Sequence, residues 1–284
     1  MAPHNNSFQG RLALITGGSS GIGWALAQLL ARQGANVWLM ARRKNELEKA
    51  RGELLAAAGQ KHGVLAADVS KWSEVQVSMQ RLVAQAGVPD LVVNSAGVTH
   101  PGLVNEVPVE TYREMMEINY LGSVHVVKAL LPDMLKRGSG HIVNISSGAG
   151  YVTGPGYAAY SASKFAVRAF SDALRAELRP LGLRVSLVYP PNTDTPQRAY
   201  EMSVQTPEIR HLDENAGIGP WKFDTMPASE VAEVILDGVE RGRYAILPGA
   251  GNRVLYRLVG LLGDLSYSIV DDEWNTARRK ARQG

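Results

Sequence analysis

Tyr160 and Lys164 stand four residues apart in GYAAYSASKFAV, where a glycine-rich loop gives way to helix-favouring sequence. On an α-helix that spacing sets both side chains on one face. An ammonium beside a phenol favours the phenolate, so a hydroxyl that titrates near about 10 when free is drawn toward working pH and becomes a general acid or base. An ordinary exposed helix pair has the same spacing, but none of the other tyrosines is followed by lysine at that distance. Thirteen residues before Tyr160 stands Ser147, just after the apolar run HIVNIS, His141 to Ser146. A hydroxyl at the carboxyl end of such a strand faces the mouth of an open α/β sheet, where ligands bind; it is equally at home in a plain Ser-Ser-Gly turn.

The elements that must position these groups begin with RLALIT, Arg11 to Thr16, a buried strand after a short polar leader. It runs into Gly17-Gly18-Ser19-Ser20-Gly21-Ile22-Gly23 and then the apolar-periodic helix WALAQLLARQ, stopped by Gly34. In a strand–turn–helix, glycines permit the tight turn and the helix amino terminus favours a phosphate, which points to a dinucleotide. The next strand, Ala35 to Met40, ends at Ala41-Arg42-Arg43. A carboxylate near that point would suit the ribose hydroxyl of NAD, whereas guanidiniums suit a 2′-phosphate. The expectation is NADP(H), against the alternative that Arg42 and Arg43 are solvated charges at a helix start.

A helix over Lys44 to Ala58 and a strand over His62 to Ala67 lead to Asp68-Val69, where the acid can accept from an adenine amino group or cap the next helix. That helix runs to Ala86. Strand four, Asp90 to Val93, then ends in Asn94-Ser95-Ala96-Gly97, small residues that let backbone pass close to a ligand. An amphipathic pattern over Glu106 to Arg137 is interrupted at Ile118-Asn119-Tyr120-Leu121-Gly122. An asparagine there is either a surface residue or the mark of a distorted helix. After strand six, Arg184 to Val188, the stretch Pro190 to Pro227 shows little periodicity and reads as a substrate loop or lid. A helix over Ala228 to Val239, a short strand over Tyr244 to Leu247 and a tail from Gly249 to Gly284 close the chain. In the tail, Val254, Leu255, Leu258, Val259, Leu261, Leu262, Leu265 and Ile269 recur at mostly helical spacing. They form either core or subunit interface, or an apolar mouth resting on a membrane surface. Alternating strands and helices imply a doubly wound parallel sheet in one domain.

Composition narrows the partners. With no cysteine among 284 residues, thiolate chemistry and disulfides are excluded. The net charge of +3 is spread along the chain with no basic block for nucleic acid, and the six histidines are scattered without metal-ligand spacing. The first ten residues lack the pattern of a signal peptide and no apolar run is long enough to span a bilayer, so a cytoplasmic location is expected.

Together TGGSSGIG, Asp68-Val69, NSAG, Asn119, Ser147 and YSASK resemble the short-chain dehydrogenase/reductase family, across roughly residues 10 to 195. The resemblance implies a single-domain Rossmann fold over residues 1–284, seven parallel strands with helices on both faces, usually in dimers or tetramers. It implies that Gly17, Gly21 and Gly23 lie under the pyrophosphate, with Ser19, Ser20 and Ile22 of the same turn also at the cofactor. Asp68 and Val69 would meet the adenine, Asn94, Ala96 and Gly97 would lie near the nicotinamide, and Pro190, Thr193 and Thr195 would touch the cofactor from beyond strand six. Ser147 would orient a carbonyl and Tyr160 donate the proton. Lys164 would hold the ribose and lower the phenol pKa, and Asn119 would anchor a water relay. One departure is Pro191, where many members have glycine; it removes an N–H and fixes φ. INYLGSV, AYSASKFAVRAF and YPPNTDTP further resemble the branch that reduces the 3-keto group of a long-chain base precursor with NADPH. The other substrate left open is a different bulky apolar ketone. A nucleotide-sensing scaffold would have no use for Ser147, Asn119, Tyr160 and Lys164 together.

Overall fold

The computed structural model describes residues 8–54, 59–214, 217–218, 221–222, 225–263 and 265–281. Seven short β-branched or apolar runs form the strands β1 (Leu12–Thr16), β2 (Asn36–Ala41), β3 (Gly63–Ala66), β4 (Leu91–Asn94), β5 (Gly140–Ile145), β6 (Leu183–Val188) and β7 (Ala245–Ile246). They lie in the order β7-β6-β5-β4-β1-β2-β3, every neighbouring pair parallel. The chain therefore starts in mid-sheet, winds outward to β3, then crosses back to β4 and winds the other way. Between β1 and β4 the strand order reverses, and such a switch point opens a crevice at the carboxyl ends.

Buried on both faces, the central strands read as nearly unbroken apolar runs. On one face pack α1 (Gly21–Arg32), α2 (Lys44–Glu53) and α9 (Ala228–Glu240), through Leu26, Leu30, Leu47, Val231 and Ile235. The other face is covered by α3 (Trp72–Ala86), α5 (Gly122–Arg137) and α6 (Ala158–Leu178), through Val75, Met79, Leu82, Val126, Leu130 and Leu174. Each fully buried side chain of this kind contributes roughly 1.5–3 kcal/mol.

Three sequence expectations need amendment. The helix expected to Ala58 ends at Glu53, and residues 55–58 lie outside those described. The last strand is only Ala245–Ile246. The stretch 190–227 is not irregular: it holds α7 (Pro196–Val204) and α8 (Pro207–Glu214). The helix start was in the sequence, since Thr195 caps α7 by accepting from Arg198 N at 3.2 Å and Pro196 occupies the first turn. The tail, whose apolar residues recur at mostly helical spacing, folds as α10 (Ala250–Leu262) and α11 (Leu265–Ala281). Leu255 is buried against Tyr151 and Tyr189, whereas Leu261 is 82% exposed. The side chains of Leu265 and Ile269 lie outside the described residues.

The interruption within Glu106 to Arg137 is a π-helical turn, Met116–Leu121, joining α4 (Val109–Met115) to α5. Asn119 sits in its middle, buried, which is the distortion an inward-facing amide demands.

Candidate active site

Three neighbouring strands end level. Thr16 of β1 pairs in register with Asn94 of β4, and Asn94 with Asn144 of β5. These polar ends form a hydrogen-bonded row. Asn94 Nδ2 donates to Asn144 Oδ1 at 2.8 Å, and Asn144 Nδ2 to Ser171 Oγ of α6 at 2.8 Å. Thr16 Oγ1 accepts from the backbone of both Ser95 and Ala96, fixing the loop after β4. Asn119 holds the continuation of that loop: it accepts from Val98 N at 2.8 Å, and its Nδ2 donates to Val98 O at 2.9 Å and to Ser163 Oγ at 2.9 Å. No direct contact joins it to Lys164, but both approach Gly97, where an added Cβ would lie 3.2 Å from Asn119 Oδ1 and 3.5 Å from Lys164 Nζ.

Ser147 leaves β5 in extended backbone and accepts from Ala149 N at 3.2 Å, starting a single 3₁₀ turn. Tyr160 is the third residue of α6, and Lys164 follows one turn later on the same buried face. Ser147 and Gln197 are side-chain hydrogen-bond neighbours of the Tyr160 hydroxyl. Lys164 Nζ donates to Ile145 O at 3.0 Å and lies 5.6 Å from the centre of the Tyr160 ring.

The electrostatics depart from the sequence expectation. Burial pushes the Tyr160 phenol well above its usual range, and the Glu201 carboxylate adds to the rise, while the Ser147 and Gln197 hydrogen bonds pull the other way. Lys164 itself is lowered to about 8 by burial. In the chain alone, desolvation of the phenolate thus outweighs the neighbouring lysine. Sequence spacing shows which groups are neighbours; it does not show how completely both are shielded from water.

These residues line one cleft of about 430 Å³. Of the residues picked from sequence, Gly17, Ser20, Gly21, Ile22, Gly97, Ser147, Tyr160, Lys164, Pro190, Thr193 and Thr195 reach its wall. Ser19, Gly23, Asn94, Ala96 and Asn119 are not among its lining residues. Arg42 and Arg43 are exposed where β2 ends, and Ala41 is half-buried. Asp68 Oδ1 accepts from both the N–H and the hydroxyl of Ser70, an Asx turn that leads into α3. Val69 is buried, and its carbonyl contacts His125 Nδ1 at 2.9 Å.

The floor fits a dinucleotide. A Cβ on Gly17, whose φ is +64°, would sit 2.9 Å from the backbone of Ser95 and Ala96; one on Gly23 would sit 2.5 Å from Gly17 O. Only glycine allows the turn to close this tightly. The amino terminus of α1 beside it has no acidic residue in its first turn, which suits a pyrophosphate. Among the described residues no group of three potential ligands could hold a metal ion.

Several wall residues had no sequence signal. Glu201, Arg198 and Asp213 come from α7 and α8, in the stretch read as a loop. Tyr151, Tyr189 and Tyr256 pack edge to face or tilted at 5.2–5.3 Å. Asn252, 3% exposed, ties them together, accepting from the Tyr151 hydroxyl and donating to Tyr189 O and Pro248 O. Leu255, Val259 and Val270 add an apolar side to the cleft.

Comparison with known proteins agrees with this geometry. The family described as short chain dehydrogenase matches residues 11–206. A 3-dehydrosphinganine reductase of Danio rerio is 35% identical over 248 residues, 86% of this chain and 73% of that protein. A dehydrogenase/reductase SDR family protein 7-like of Drosophila melanogaster is 42% identical over 188 residues, 65% of this chain and 58% of that protein. A short chain dehydrogenase/reductase from Burkholderia phymatum, solved in complex with NAD, is 27% identical and aligns with a TM-score of 0.77 over 91% of this chain and 96% of that one. With motifs, sheet order and cleft in agreement, the chain belongs to the short chain dehydrogenase family of nicotinamide-dependent oxidoreductases.

Proposed function

We propose that this chain uses NADPH to reduce the 3-keto group of 3-ketodihydrosphingosine to the alcohol of dihydrosphingosine. The observation that carries the substrate is the 35% identity to a 3-dehydrosphinganine reductase along 86% of the chain. The apolar side of the cleft, Leu255, Val259 and Val270, supports it by offering a long hydrocarbon chain a dry path away from Tyr160. Bound NADPH supplies the hydride. The protein supplies the rest: Ser147 orients the carbonyl oxygen and Tyr160 delivers its proton there, so that the developing negative charge meets preorganised donors. A phenol held above its usual pKa stays protonated through the working range, as a donor must. Lys164 holds the ribose, and Asn119 secures the loop beneath it and anchors the water relay.

Purified protein is expected to consume NADPH faster with 3-ketodihydrosphingosine than with a short-chain 3-ketone. Faster turnover of a steroid or aromatic ketone would overturn the substrate and favour a second reading, a reductase of another bulky apolar ketone or alcohol. The 42% identity to the Drosophila protein over a shorter stretch supports that alternative. Arg42, exposed at the end of β2 with Arg43 beside it, is assigned to the 2′-phosphate. Ala41→Asp combined with Arg42→Ser should shift preference toward NADH; a wild type using both cofactors equally would sink that assignment.

A homodimer or homotetramer fits the exposed Leu121 and Phe165, on the π turn and on α6, which pack side by side. No helix among the described residues is long and apolar enough to cross a membrane. The exposed Leu261 on α10 supports our reading of peripheral membrane contact by a cytoplasmic protein.

A further inference from the structure

The part of the cleft wall built by α7 and α8 carries a charge cluster that hydride transfer does not use. Arg198 of α7 lies between two carboxylates, Glu201 at 3.3 Å and Asp213 of α8, which is closer. Asp213 is richly satisfied, because it also accepts from Asn192 Nδ2 at 3.0 Å and Gln205 Nε2 at 2.8 Å. Glu201 is not. It is 8% exposed, shares its single cation with Asp213, and lines the same cleft as Ser147 and Tyr160. Burial raises its pKa, marking a carboxylate short of compensation. It is close enough to Tyr160 to push that phenol up as well. A buried anion sharing one cation costs free energy unless something else supplies positive charge. The remaining lysine of the wall, Lys164, is held by Ile145 O.

Building on the proposed reduction, we propose that Glu201 is the anionic partner of an ammonium carried by the substrate beside its carbonyl, so that this chain selects α-amino ketones. The fit is chemical. The ketone is addressed by Ser147 and Tyr160, the hydrocarbon by the apolar side, and the cationic group on the neighbouring carbon by Glu201, which of the three carboxylates lining the cleft, Glu201, Asp213 and Glu273, is the one whose charge bears on the Tyr160 hydroxyl. Glu201 then acts as a specificity residue and takes no part in proton transfer.

The experiment compares kcat/KM of wild type and Glu201→Gln on 3-ketodihydrosphingosine and on 1-hydroxyoctadecan-3-one, the same chain without its amino group, with NADPH. A charge-assisted pair predicts that wild type prefers the amino ketone by about ten- to a hundredfold, mostly through KM. In Glu201→Gln that preference should collapse to about twofold or less, and Glu201→Asp, which keeps the charge on a shorter stem, should restore part of it. Glu201→Gln leaves Arg198 and Asp213 balanced one to one, so the fold has reason to survive the change. A preference unchanged in Glu201→Gln would overturn the inference and leave the proposed reduction standing. A wild type that prefers the amino ketone by less than about twofold would overturn it without any variant. No NADPH consumption with either ketone would overturn the proposed reduction and this inference together.

Discussion

At the scale of single residues, two groups of the cleft carry opposite penalties for being buried. The Tyr160 phenol is kept neutral and the Lys164 ammonium is lowered to about 8. Tyr160→Phe removes one hydroxyl and almost no volume, so the fold and NADPH affinity should survive while kcat falls by about 10²- to 10⁴-fold, the usual contribution of a positioned acid. A variant with near wild-type turnover would show that the proton comes from elsewhere. For Lys164 the sign follows from proton counts. Between about 8 and 10.5 the unfolded chain keeps a proton that the folded chain has released, so this residue makes stability rise with pH across that window. Below about pH 8 the buried ammonium costs its full amount. Lys164→Met should therefore gain stability relative to wild type at neutral pH, and the gain should shrink as pH approaches 10. Denaturant midpoints at several pH values would check this, and a difference independent of pH would contradict it.

At the scale of elements, the polar pins between strands and helices explain what was legible in the sequence and what was not. Strand ends and the α1 turn could be read because apolar runs and glycines act locally. The distortion at Asn119 could be read because an amide in a buried stripe has few places to go. The helices over 196–214 gave no signal beyond the Thr195–Pro196 start, because their faces are short and their charges, Arg198, Glu201 and Asp213, find partners in one another rather than in water. Nor could the raised phenol of Tyr160 be read, since it follows first from how completely the fold buries it and then from Glu201 arriving from that same segment. His141 shows a pin with a measurable signature. Ser186 Oγ gives its one proton to Arg243 O at 2.6 Å, so it must accept from His141 Nε2 at 2.8 Å, which fixes a neutral tautomer. Burial, with Arg184 on the adjacent strand, lowers His141 to about 3. Below about pH 6.5 the unfolded chain takes up a proton that the folded one refuses, so stability falls with acid from there toward pH 3. His141→Asn should flatten that part of the stability profile; an unchanged slope would remove His141 as its cause.

At the scale of the whole molecule, the site is a joint between distant parts of the chain. The sheet's carboxyl edge supplies the glycine turn, Ser147 and the base of α6, while α7 and α8 form one wall and α10 with α11 another. α8 rests on α11, so the segment over the cleft is braced by the tail. Asn252 is the rivet between tail and sheet. Asn252→Ala removes the side-chain partner of the Tyr189 carbonyl and leaves the Tyr151 hydroxyl only its 3.4 Å contact with the backbone carbonyl of residue 252, a cost of about 1–3 kcal/mol. The thermal midpoint should drop, and turnover should fall too, because Tyr151 closes the turn that Ser147 begins. Lost stability with undiminished turnover would separate the rivet from the cleft. The rivet also orders events during synthesis. Every strand and every residue assigned to hydride and proton transfer leaves the ribosome before α10 does. A nascent chain can thus build its entire sheet and still lack the wall that seals the cleft. On that side the cleft gains its wall only once α10 and α11 have been made, so the sheet can form before the site is walled in.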